Sequence, residues 1–413
     1  MLGPYRVLDL TNQRGLLCGQ ILADLGADVV QVEPPGGSPA RGLGPFAGDV
    51  PHSERSLFWC AYARNKRAIT LDLGRADGQA LFRRLVRTAD FVIESERPGT
   101  FAAWGLDHAA LAAVNPRLVT VSITPFGQDG PKASFAESDL VLLAAGGPLV
   151  LQGDDDRAPV RLPVPQAYLH AAAEAAVAAL VAHHERERSG RGQHVDVSAQ
   201  QAVALATQSY ILCDALGAPE VRRTAGGLKH GRLTLRLLFP ARDGFVAITF
   251  LFGSAIGPFS RRLMHWIHEE GGCDRATRDK DWIAYAQLLV SGREPIEEFE
   301  RVKALIAAFT GSRTKAELLA AAVERDLLIA PVATIDEVVA SPQLAARDYW
   351  RTVHHPALAR DARHPGPFAI FGSAPLEYRR PAPRVGEHNR ELYQGELGLD
   401  DAALARLADG GCI

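Results

Sequence analysis

The sequence lacks the features of secreted, zinc-binding and membrane proteins. Its five cysteines are dispersed, with no CxxC pair and no histidine spacing suited to zinc. No run reaches the ~18 apolar residues that a membrane span needs, and the first residues contain no apolar signal core. An odd set of dispersed cysteines without a secretion signal fits a reducing compartment. The sequence therefore predicts a soluble, cytoplasmic protein with no metal site and no membrane partner.

A strong net charge is also missing. The formal net charge of −3 gives no electrostatic reason to expect nucleic acid or an anionic membrane as a partner, so any bound anion must be held by local cations. The sequence contains no GxSxG nucleophile elbow, no P-loop and no full dinucleotide fingerprint, which disfavours dehydrogenases and NTPases. Hydrophobic residues make up 47% of the 413 residues, which is usual for a globular enzyme of two to three domains.

Short apolar strands alternate with helices over the first part of the chain. The predicted strands are Tyr5–Leu10, Val29–Val32, Ile69–Leu71, Phe91–Ile93 and Leu118–Ile123, with helices at Leu16–Leu25 and Ala76–Arg87 between them. Nearly continuous apolar strands joined by helices indicate a parallel sheet that is covered on both faces. The sequence thus predicts an α/β fold with a Rossmann-like sheet.

An alanine-rich helix and a change in composition follow. The helix is predicted over Pro165–Arg188, because alanine has the highest helix propensity, and the glycines of Ser189-Gly190-Arg191-Gly192-Gln193 are interpreted as its structural end. A strand at His194–Val197 and a helix from Gln200 to Leu216 come next. Beyond Gly217, a hairpin of Arg232–Phe239 and Phe245–Phe250 and several helices predict a smaller α+β domain over residues 218–327.

Three charged or glycine-containing segments lie beside predicted strands. They are Val32-Glu33-Pro34-Pro35-Gly36-Gly37 with Arg41, Asn65-Lys66-Arg67, and Glu94-Ser95-Glu96-Arg97-Pro98-Gly99. Ligands of open α/β sheets bind at the carboxyl ends of strands, where arginine can pair with phosphate. Taken singly, each segment is equally typical of a loop with solvated charges. Together they favour one crevice for an anionic ligand, and both interpretations stay open.

These segments, in this order, resemble family III CoA-transferases. The resemblance rests on the following motifs: Arg6-Val7-Leu8-Asp9-Leu10-Thr11, Leu22 to Val30, Val32 to Gly37, Asn65-Lys66-Arg67, Arg97-Pro98-Gly99, Asn115-Pro116-Arg117-Leu118, Phe126 to Pro131, Arg186 to Gln193, Pro381 to His388, and Leu397-Gly398-Leu399. The match covers nearly the whole chain and is weakest in the second domain.

The resemblance implies a fold, a ligand and an assembly. Family members transfer CoA between a thioester and a carboxylic acid, so acyl-CoA and an organic acid are the expected substrates, with no tightly bound cofactor. Each chain forms a ring, with a large domain built from both ends, here residues 1–217 and 328–413. Two rings interlock as a homodimer or as a heterodimer with a paralogous subunit. The residues expected to contact CoA are Arg41, Asn65, Lys66, Arg67, Ser95 and Arg97.

The catalytic position departs from the family pattern. There an aspartate at the start of the long helix attacks the thioester and forms an anhydride, and the residue at that position here is Tyr168. A phenol of pKa ~10 is a poor nucleophile at neutral pH. On the helix, His170 and Glu174 point in other directions, and Asp139 matches an orienting residue of the family. The sequence therefore offers no substitute carboxylate and leaves the catalytic residue unassigned.

Several functional hypotheses remain. The first is a CoA-transferase, and the second is a catalytically silent, CoA-binding subunit that pairs with an active paralogue. A CoA-thioester-binding regulator is a third. Racemization α to the thioester is disfavoured, because Ser138 and Tyr168 occupy the positions of the histidine and the aspartate that it needs. In the second domain, Phe250, Phe252 and Trp266 are interpreted either as the floor of an acyl pocket or as core residues.

Overall fold

The computed structural model describes residues 1–217, 223–230 and 233–413. The chain divides into two compact units. The first contains Met1–Leu149, Arg161–Ala215 and Gln343–Ile413, and the second contains Val150–Val160 and Leu216–Pro342. The predicted domain limits stay a prediction. Residue 218, at which the small domain was expected to begin, and Arg232, the predicted start of the hairpin, both lie outside the described residues.

A six-stranded parallel sheet forms the centre of the first unit and confirms the predicted α/β class. Its strands are β1 (Arg6–Leu10), β2 (Asp28–Glu33), β3 (Lys66–Thr70), β4 (Phe91–Glu94), β5 (Val119–Thr124) and β6 (His194–Ser198). Their spatial order is β3-β2-β1-β4-β5-β6, with every neighbouring pair parallel. This is the strand order of Rossmann folds. An antiparallel pair, β12 (Trp350–His355) and β13 (Arg360–Pro365), lies in the carboxyl-terminal segment of the same unit.

Helices cover both faces of the sheet. The first unit contains α1 (Leu16–Asp24), α2 (Leu57–Tyr62), α3 (Ala76–Val86), α4 (Thr100–Ala103), α5 (His108–Val114), α6 (Asp139–Ala145), α7 (Ala167–Ser189), α8 (Ala199–Leu205), α9 (Gln208–Ala215) and α17 (Asp401–Asp409). Val7, Phe91 and Val121 pack with α1 and α7 on one face, whereas Leu8 and Val92 pack with α3 and α5 on the other. Burial on both faces explains why these strands are apolar at successive positions.

The alanine-rich helix has the predicted position and the predicted end. Its alanines, at 167, 171, 175 and 179, are buried against the sheet. Gly190 ends α7 in the left-handed conformation, with φ 71°. A Cβ at Gly192 would lie 1.8 Å from the carbonyl oxygen of Leu118. Both glycines are therefore required by the backbone, which confirms their structural interpretation.

Two predicted elements differ from the structure. The helix expected from Gln200 to Leu216 is divided into α8 and α9, and at the break the Thr207 hydroxyl donates to the Ala204 carbonyl oxygen (3.0 Å), a local bond that competes with helix continuation. Strand β3 begins at Lys66, three residues before the predicted Ile69. The sequence pattern missed this start because Lys66 and Arg67 are charged, yet both are buried and paired inside the protein.

The second unit has its own sheets and its own apolar core. It contains β7 (Gly227–His230), β8 (Leu233–Arg236), β9 (Leu238–Ala241), β10 (Gly244–Ile248), β11 (Ile329–Pro331), α10 (Gly253–Glu269), α11 (Arg275–Arg278), α12 (Tyr285–Val290), α13 (Ile296–Gly311), α14 (Lys315–Arg325) and α15 (Ile335–Val339). A further helix, α16 (Pro342–Ala346), spans the boundary between the units.

The predicted hairpin strand is divided in this second unit. Strand β8 pairs with β7, and β9 pairs with β10, so the single strand expected up to Phe239 is split at Leu237 between two partners. Phe250 and Trp266 are buried in the core of the unit, as in the simpler of their two interpretations. Among the described residues, no helix is long and apolar enough to cross a membrane.

Candidate functional site

The order of the central sheet defines where a ligand is expected to bind. The strand order reverses between β1 and β4, because the chain continues from β1 to β2 on one side and from β4 to β5 on the other. Open α/β sheets bind ligands in the crevice outside the carboxyl ends of the strands at such a switch point. Residues 11–15 follow β1 there, and residues 95–99 follow β4. The candidate site is therefore built from these two segments and from whatever packs against them.

Three side chains from distant segments meet at this crevice. The Tyr168 hydroxyl donates to Oε1 of Glu137 at 2.7 Å. The same oxygen accepts hydrogen bonds from Nε and Nη2 of Arg14, at 2.9 and 2.7 Å. We call Arg14, Glu137 and Tyr168 the switch-point cluster. It places a carboxylate within hydrogen-bonding distance of Tyr168, which the family resemblance aligns with the catalytic aspartate.

Backbone contacts connect the cluster to the loop after β4. Nη1 of Arg14 donates to the Ser95 carbonyl oxygen at 3.1 Å. The backbone N–H of Asn12 donates to the Ser95 hydroxyl oxygen, also at 3.1 Å. The two loops at the switch point are thus held together, and Arg14 connects the carboxylate of Glu137 to the loop that contains Ser95 and Arg97.

Asp139 fixes the start of the helix that carries Tyr168. Its Oδ1 accepts hydrogen bonds from the backbone N–H groups of Gln166 and Ala167, each at 2.7 Å. These N–H groups have no acceptor within the helix, so the carboxylate satisfies them as a cap does. Ser138 in turn caps α6 by accepting from the Val141 N–H. Asp139 therefore has the orienting role that the family pattern implied for it.

The environment favours a protonated Tyr168 and an ionised Glu137. Burial, followed by the hydrogen bond to Glu137, raises the pKa of the Tyr168 phenol above its ordinary value. Burial by itself would also raise the pKa of the Glu137 carboxyl, but the hydrogen bonds from Tyr168 and Arg14 outweigh it and hold that pKa below its ordinary value. At neutral pH the pair is a neutral phenol that donates to an ionised carboxylate. Tyr168 is consequently a hydrogen-bond donor here and not a nucleophile.

The Glu174 carboxylate and the His170 imidazole, on the same helix, do not lie beside Tyr168. His170 and Glu174 are both exposed, whereas Tyr168 is buried with 9% of its surface accessible. Their exposure agrees with the helical geometry that pointed them away from Tyr168. Among the described residues, no group of three His, Cys, Asp or Glu side chains is arranged to hold a metal ion.

Two of the cations expected to contact CoA are fully buried and paired. Nζ of Lys66 donates to Asp9 at 2.7 Å, to Gln31 at 3.0 Å and to a backbone carbonyl oxygen, so its three donors are all taken. Arg41 forms a two-point ion pair with Glu33 at 2.6 and 2.8 Å, and its guanidinium lies 3.8 Å above the Trp59 ring. Their predicted contact with CoA stays a prediction.

Asn65 and Arg67 are also engaged inside the first unit. Asn65 adopts a left-handed conformation with φ 63°, and its amide group donates to Asp24 at 2.7 Å. Arg67 pairs with Asp28 at 2.6 Å and with Glu391 and Glu396. Lys66 and Arg67 lie at the amino end of β3, whereas the switch-point crevice lies at the carboxyl ends of the strands. For these residues too, CoA contact is untested.

The loop after β4 offers a different environment. Arg97 is exposed and, within the described part of the chain, its guanidinium makes no ion pair or hydrogen bond. It lines a cavity of about 380 Å³ together with Glu94, His108, His194 and other residues. Burial raises the pKa of Glu94 to about 7, against the opposing effect of hydrogen bonds from Ser122 and the Glu96 amide. This side of the sheet thus contains an unpaired cation beside an incompletely compensated carboxyl group.

Sequence reasoning missed Arg14 and Glu137. Arg14 follows β1 at the carboxyl edge, so its position after a predicted strand was a signal that went unused. Glu137 gave no such signal, because it precedes a short helix and lies 123 positions from Arg14 in the chain. Another missed group is Gln13, whose Oε1 is buried without a hydrogen-bond partner in the described structure and is available to a donor on a ligand.

Comparisons with known proteins agree on one family. A sequence profile described as CoA-transferase family III matches residues 2–389. The chain is 37% identical to the succinyl-CoA:(R)-benzylsuccinate CoA-transferase subunit BbsE of Thauera aromatica, over 94% of this chain and 92% of that protein. It is 34% identical to the succinyl-CoA–D-citramalate CoA-transferase of Chloroflexus aurantiacus, over 98% of this chain and 96% of that one.

A solved structure has a similar fold over nearly the whole length of the chain. A CAIB/BAIF family protein from Brucella suis superimposes with a TM-score of 0.80 and 26% sequence identity, over 95% of this chain and 98% of that one. The match therefore extends through both units and is not limited to the central sheet.

Proposed function

Because this chain belongs to CoA-transferase family III and is a CoA-transferase, we propose that it moves CoA from an acyl-CoA thioester to an organic acid as one subunit of a dimer or hetero-oligomer. The observation that carries the proposal is the switch point, where Arg14, which follows β1, binds both the Glu137 carboxylate and the Ser95 carbonyl oxygen of the loop that presents Arg97. Two relatives named for succinyl-CoA support a dicarboxylic donor such as succinyl-CoA.

The CoA-binding residues divide into two groups under this proposal. Arg97 contacts CoA directly, since it is exposed on the loop after β4 and has a free guanidinium for a phosphate or pyrophosphate group. Ser95 is buried and its hydroxyl oxygen accepts from the Asn12 N–H, so it positions that loop. Arg41, Asn65, Lys66 and Arg67 hold the sheet around the crevice, because internal acceptors already take their donors. CoA is a substrate in this proposal and not a resident cofactor.

The assembly is proposed to be the interlocked dimer of rings that the family resemblance implies, as a homodimer or with a paralogous chain. An exposed apolar stretch on the outer helices of the first unit supports a partner contact, with Val177, Val181 and Ile211 each more than half accessible. One relative is itself named as a subunit. The five free cysteines fit a reducing, cytoplasmic compartment.

A second candidate is a catalytically silent subunit. Tyr168 favours it, since a phenol whose pKa is raised further by burial cannot provide the carboxylate nucleophile. In that case the chain would bind CoA or complete the fold of an assembly, and a paralogue with aspartate at the corresponding position would carry out the transfer.

One experiment distinguishes the two candidates. The chain is purified alone and also together with a paralogue from the same genome that has aspartate at the position of Tyr168. Exchange of radiolabelled succinate into succinyl-CoA is then measured for each preparation. Exchange by the chain alone supports an active subunit and contradicts the silent one. Exchange only in the mixed assembly supports the silent subunit, and no exchange in either preparation contradicts CoA transfer from succinyl-CoA.

A further inference from the structure

The two oxygens of the Glu137 carboxylate have unequal surroundings. All three side-chain donors of the switch-point cluster, from Arg14 and Tyr168, bind Oε1. No side chain in the described part of the protein donates to Oε2. The Glu137 side chain is 14% exposed, and Oε2 does not belong to the buried polar atoms that lack a partner. Oε2 is therefore partly accessible to solvent. The carboxylate is thus fixed by one oxygen, and the other is left without a side-chain donor on a partly exposed side chain.

We propose that Glu137 is the nucleophilic carboxylate of this chain and that Arg14 and Tyr168 are the groups that position it. The inference rests on the proposed CoA transfer and deepens it by assigning the missing catalytic residue. Covalent catalysis needs an ionised, oriented carboxylate with an accessible oxygen, and Glu137 meets these requirements at the switch point. Tyr168, in the place of the family's aspartate, then holds the nucleophile instead of supplying it.

The proposed reaction proceeds in balanced steps. Oε2 attacks the thioester carbonyl carbon, the carbon–sulfur bond breaks, and CoA leaves as a thiolate, which gives a mixed anhydride between the acyl group and Glu137. The thiolate then attacks Cδ of Glu137, the bond between Cδ and Oε2 breaks, and the donor acid leaves as a carboxylate. The product is a glutamyl-CoA thioester. The acceptor carboxylate reverses these two steps, so that CoA leaves on the acceptor acid and Glu137 is regenerated.

The fixed oxygen has a role in these steps. When the thiolate attacks Cδ, negative charge develops on the glutamyl carbonyl oxygen, which is Oε1. Arg14 and Tyr168 already donate to that oxygen at 2.7 to 2.9 Å. Donors that are in place before the charge develops stabilise the transition state without reorganisation. The unequal surroundings of the two oxygens therefore match the unequal roles that the reaction gives them.

Other nearby carboxylates meet fewer of these requirements. Asp139 is buried, and its Oδ1 is occupied by the two N–H groups that begin α7. Glu94 is buried, and its raised pKa of about 7 leaves much of it protonated at neutral pH. Glu174 is exposed on α7, away from the cluster, which makes it a suitable control.

The test is a trapping experiment on the purified full chain. The protein is incubated with succinyl-CoA and hydroxylamine, which converts an acyl anhydride or a glutamyl thioester at Glu137 to a hydroxamate, and the modified peptide is located by mass spectrometry. We expect the hydroxamate on Glu137. Glu137→Gln abolishes it and lowers succinate exchange by at least about 10³-fold, as expected for loss of a nucleophile.

Two further variants separate positioning from folding. Tyr168→Phe keeps the hydroxamate on Glu137 but lowers the exchange rate by about 10²-fold, because one oxyanion donor is lost while the nucleophile remains. Glu174→Gln leaves both exchange and labelling at the level of the unmodified chain. Since the labelling experiment uses the unmodified chain, its outcome does not depend on whether a variant folds.

The results that overturn the inference are distinct from those that overturn the proposed function. A hydroxamate at another residue, or none on this chain while the assembly with the paralogue exchanges succinate, excludes Glu137 as the nucleophile and leaves CoA transfer intact. Unchanged exchange by Glu137→Gln excludes it as well. If neither the chain nor the assembly exchanges succinate, transfer from succinyl-CoA fails together with the inference.

Discussion

Charged side chains form ion pairs on one side of the switch point and lack them on the other. On the β1–β2–β3 side, Asp9 is neutralised by Lys66 at 2.7 Å and Glu33 by Arg41 at 2.6 Å, with all four side chains almost inaccessible. On the β4–β5 side, the buried Glu94 has no ion pair within the described residues, and the exposed Arg97 has none either. The carboxyl ends of β1 and β4 are adjacent, and Leu10 pairs with Glu94 in the sheet.

Under the proposed function, this difference separates residues that stabilise the fold from residues that bind the ligand. A buried ion pair whose donors and acceptors are all satisfied has nothing left for a ligand, and its removal leaves an uncompensated charge. An unpaired arginine on a loop has its full hydrogen-bonding capacity available. The two sides have similar residue types at similar distances from a strand. What differs is whether each charged side chain already has internal partners for its hydrogen bonds. The following predictions test this division.

The largest expected effect is on the paired side. Lys66→Met leaves Asp9 buried without its cation, so we expect a loss of about 3–5 kcal/mol in the free energy of unfolding, measured by urea denaturation. Lys132→Met, at an exposed lysine, is the control and is expected to change stability by less than about 0.5 kcal/mol. If Lys66→Met weakened CoA binding and left stability unchanged, the division between the two sides would be wrong.

The next effect concerns Glu94 and depends on pH. Burial raises its pKa to about 7 in the folded chain, whereas an unfolded glutamate titrates near ~4.3. The folded state therefore keeps the proton longer, and the stability present below the unfolded pKa is lost as the pH rises through about 7. The loss should approach about 4 kcal/mol, since each unit of pKa difference corresponds to ~1.4 kcal/mol.

The isosteric variant Glu94→Gln provides the measurement. Because glutamine does not ionise, the free energy of unfolding of Glu94→Gln relative to the unmodified chain should rise between pH 4 and pH 8. Parallel pH profiles for the two proteins would show that Glu94 is compensated after all, and the contrast with Asp9 would disappear.

A smaller effect is expected from Asp139, which stabilises the start of α7. Asp139→Ala removes the acceptor of the Gln166 and Ala167 N–H groups and should cost about 0.5–2 kcal/mol in thermal or urea unfolding. Asp139→Asn retains an oxygen acceptor and should lose less. An equal loss for the two variants would indicate that the charge of Asp139, and not its capping bonds, is what matters.

The last expected effect, about as small as that of Asp139, is on the side where the ligand is proposed to bind. Arg97→Ala should weaken CoA binding by about 10-fold, the low end for a hydrogen bond to a charged group, with no change in unfolding. Isothermal titration calorimetry with CoA measures it, and Arg261→Ala, at an exposed arginine of the second unit, serves as the control. Undiminished CoA affinity in Arg97→Ala would remove Arg97 from the proposed site.

The central sheet was the most predictable part of the molecule. Strands β1, β2, β4, β5 and β6 lie within one or two residues of their predicted positions, because apolar residues at successive positions identify strands that are buried on both faces. Strand β3 was placed too late, since its first residues are charged and a local pattern does not reveal that their partners are inside the protein. In the second unit, strand pairing divided a segment that looked continuous in sequence.

The candidate site was predictable only in part. The order of the motifs pointed to Tyr168 and to the loop of Ser95 and Arg97, whose contact with CoA stays a prediction. Glu137 did not, because nothing near it in the sequence indicates a site. Its contacts with Arg14 and Tyr168 join positions 123 and 31 residues apart.

The sequence by itself determined the family, the parallel sheet and the absence of an aspartate at the start of α7, since all three depend on residue types in a fixed order along the chain. Only the tertiary structure decided which cations form ion pairs with internal carboxylates and which carboxylate lies beside Tyr168. The physical reason is that ion pairing and burial depend on distances of a few ångströms between segments, and these distances are set by how strands and helices pack.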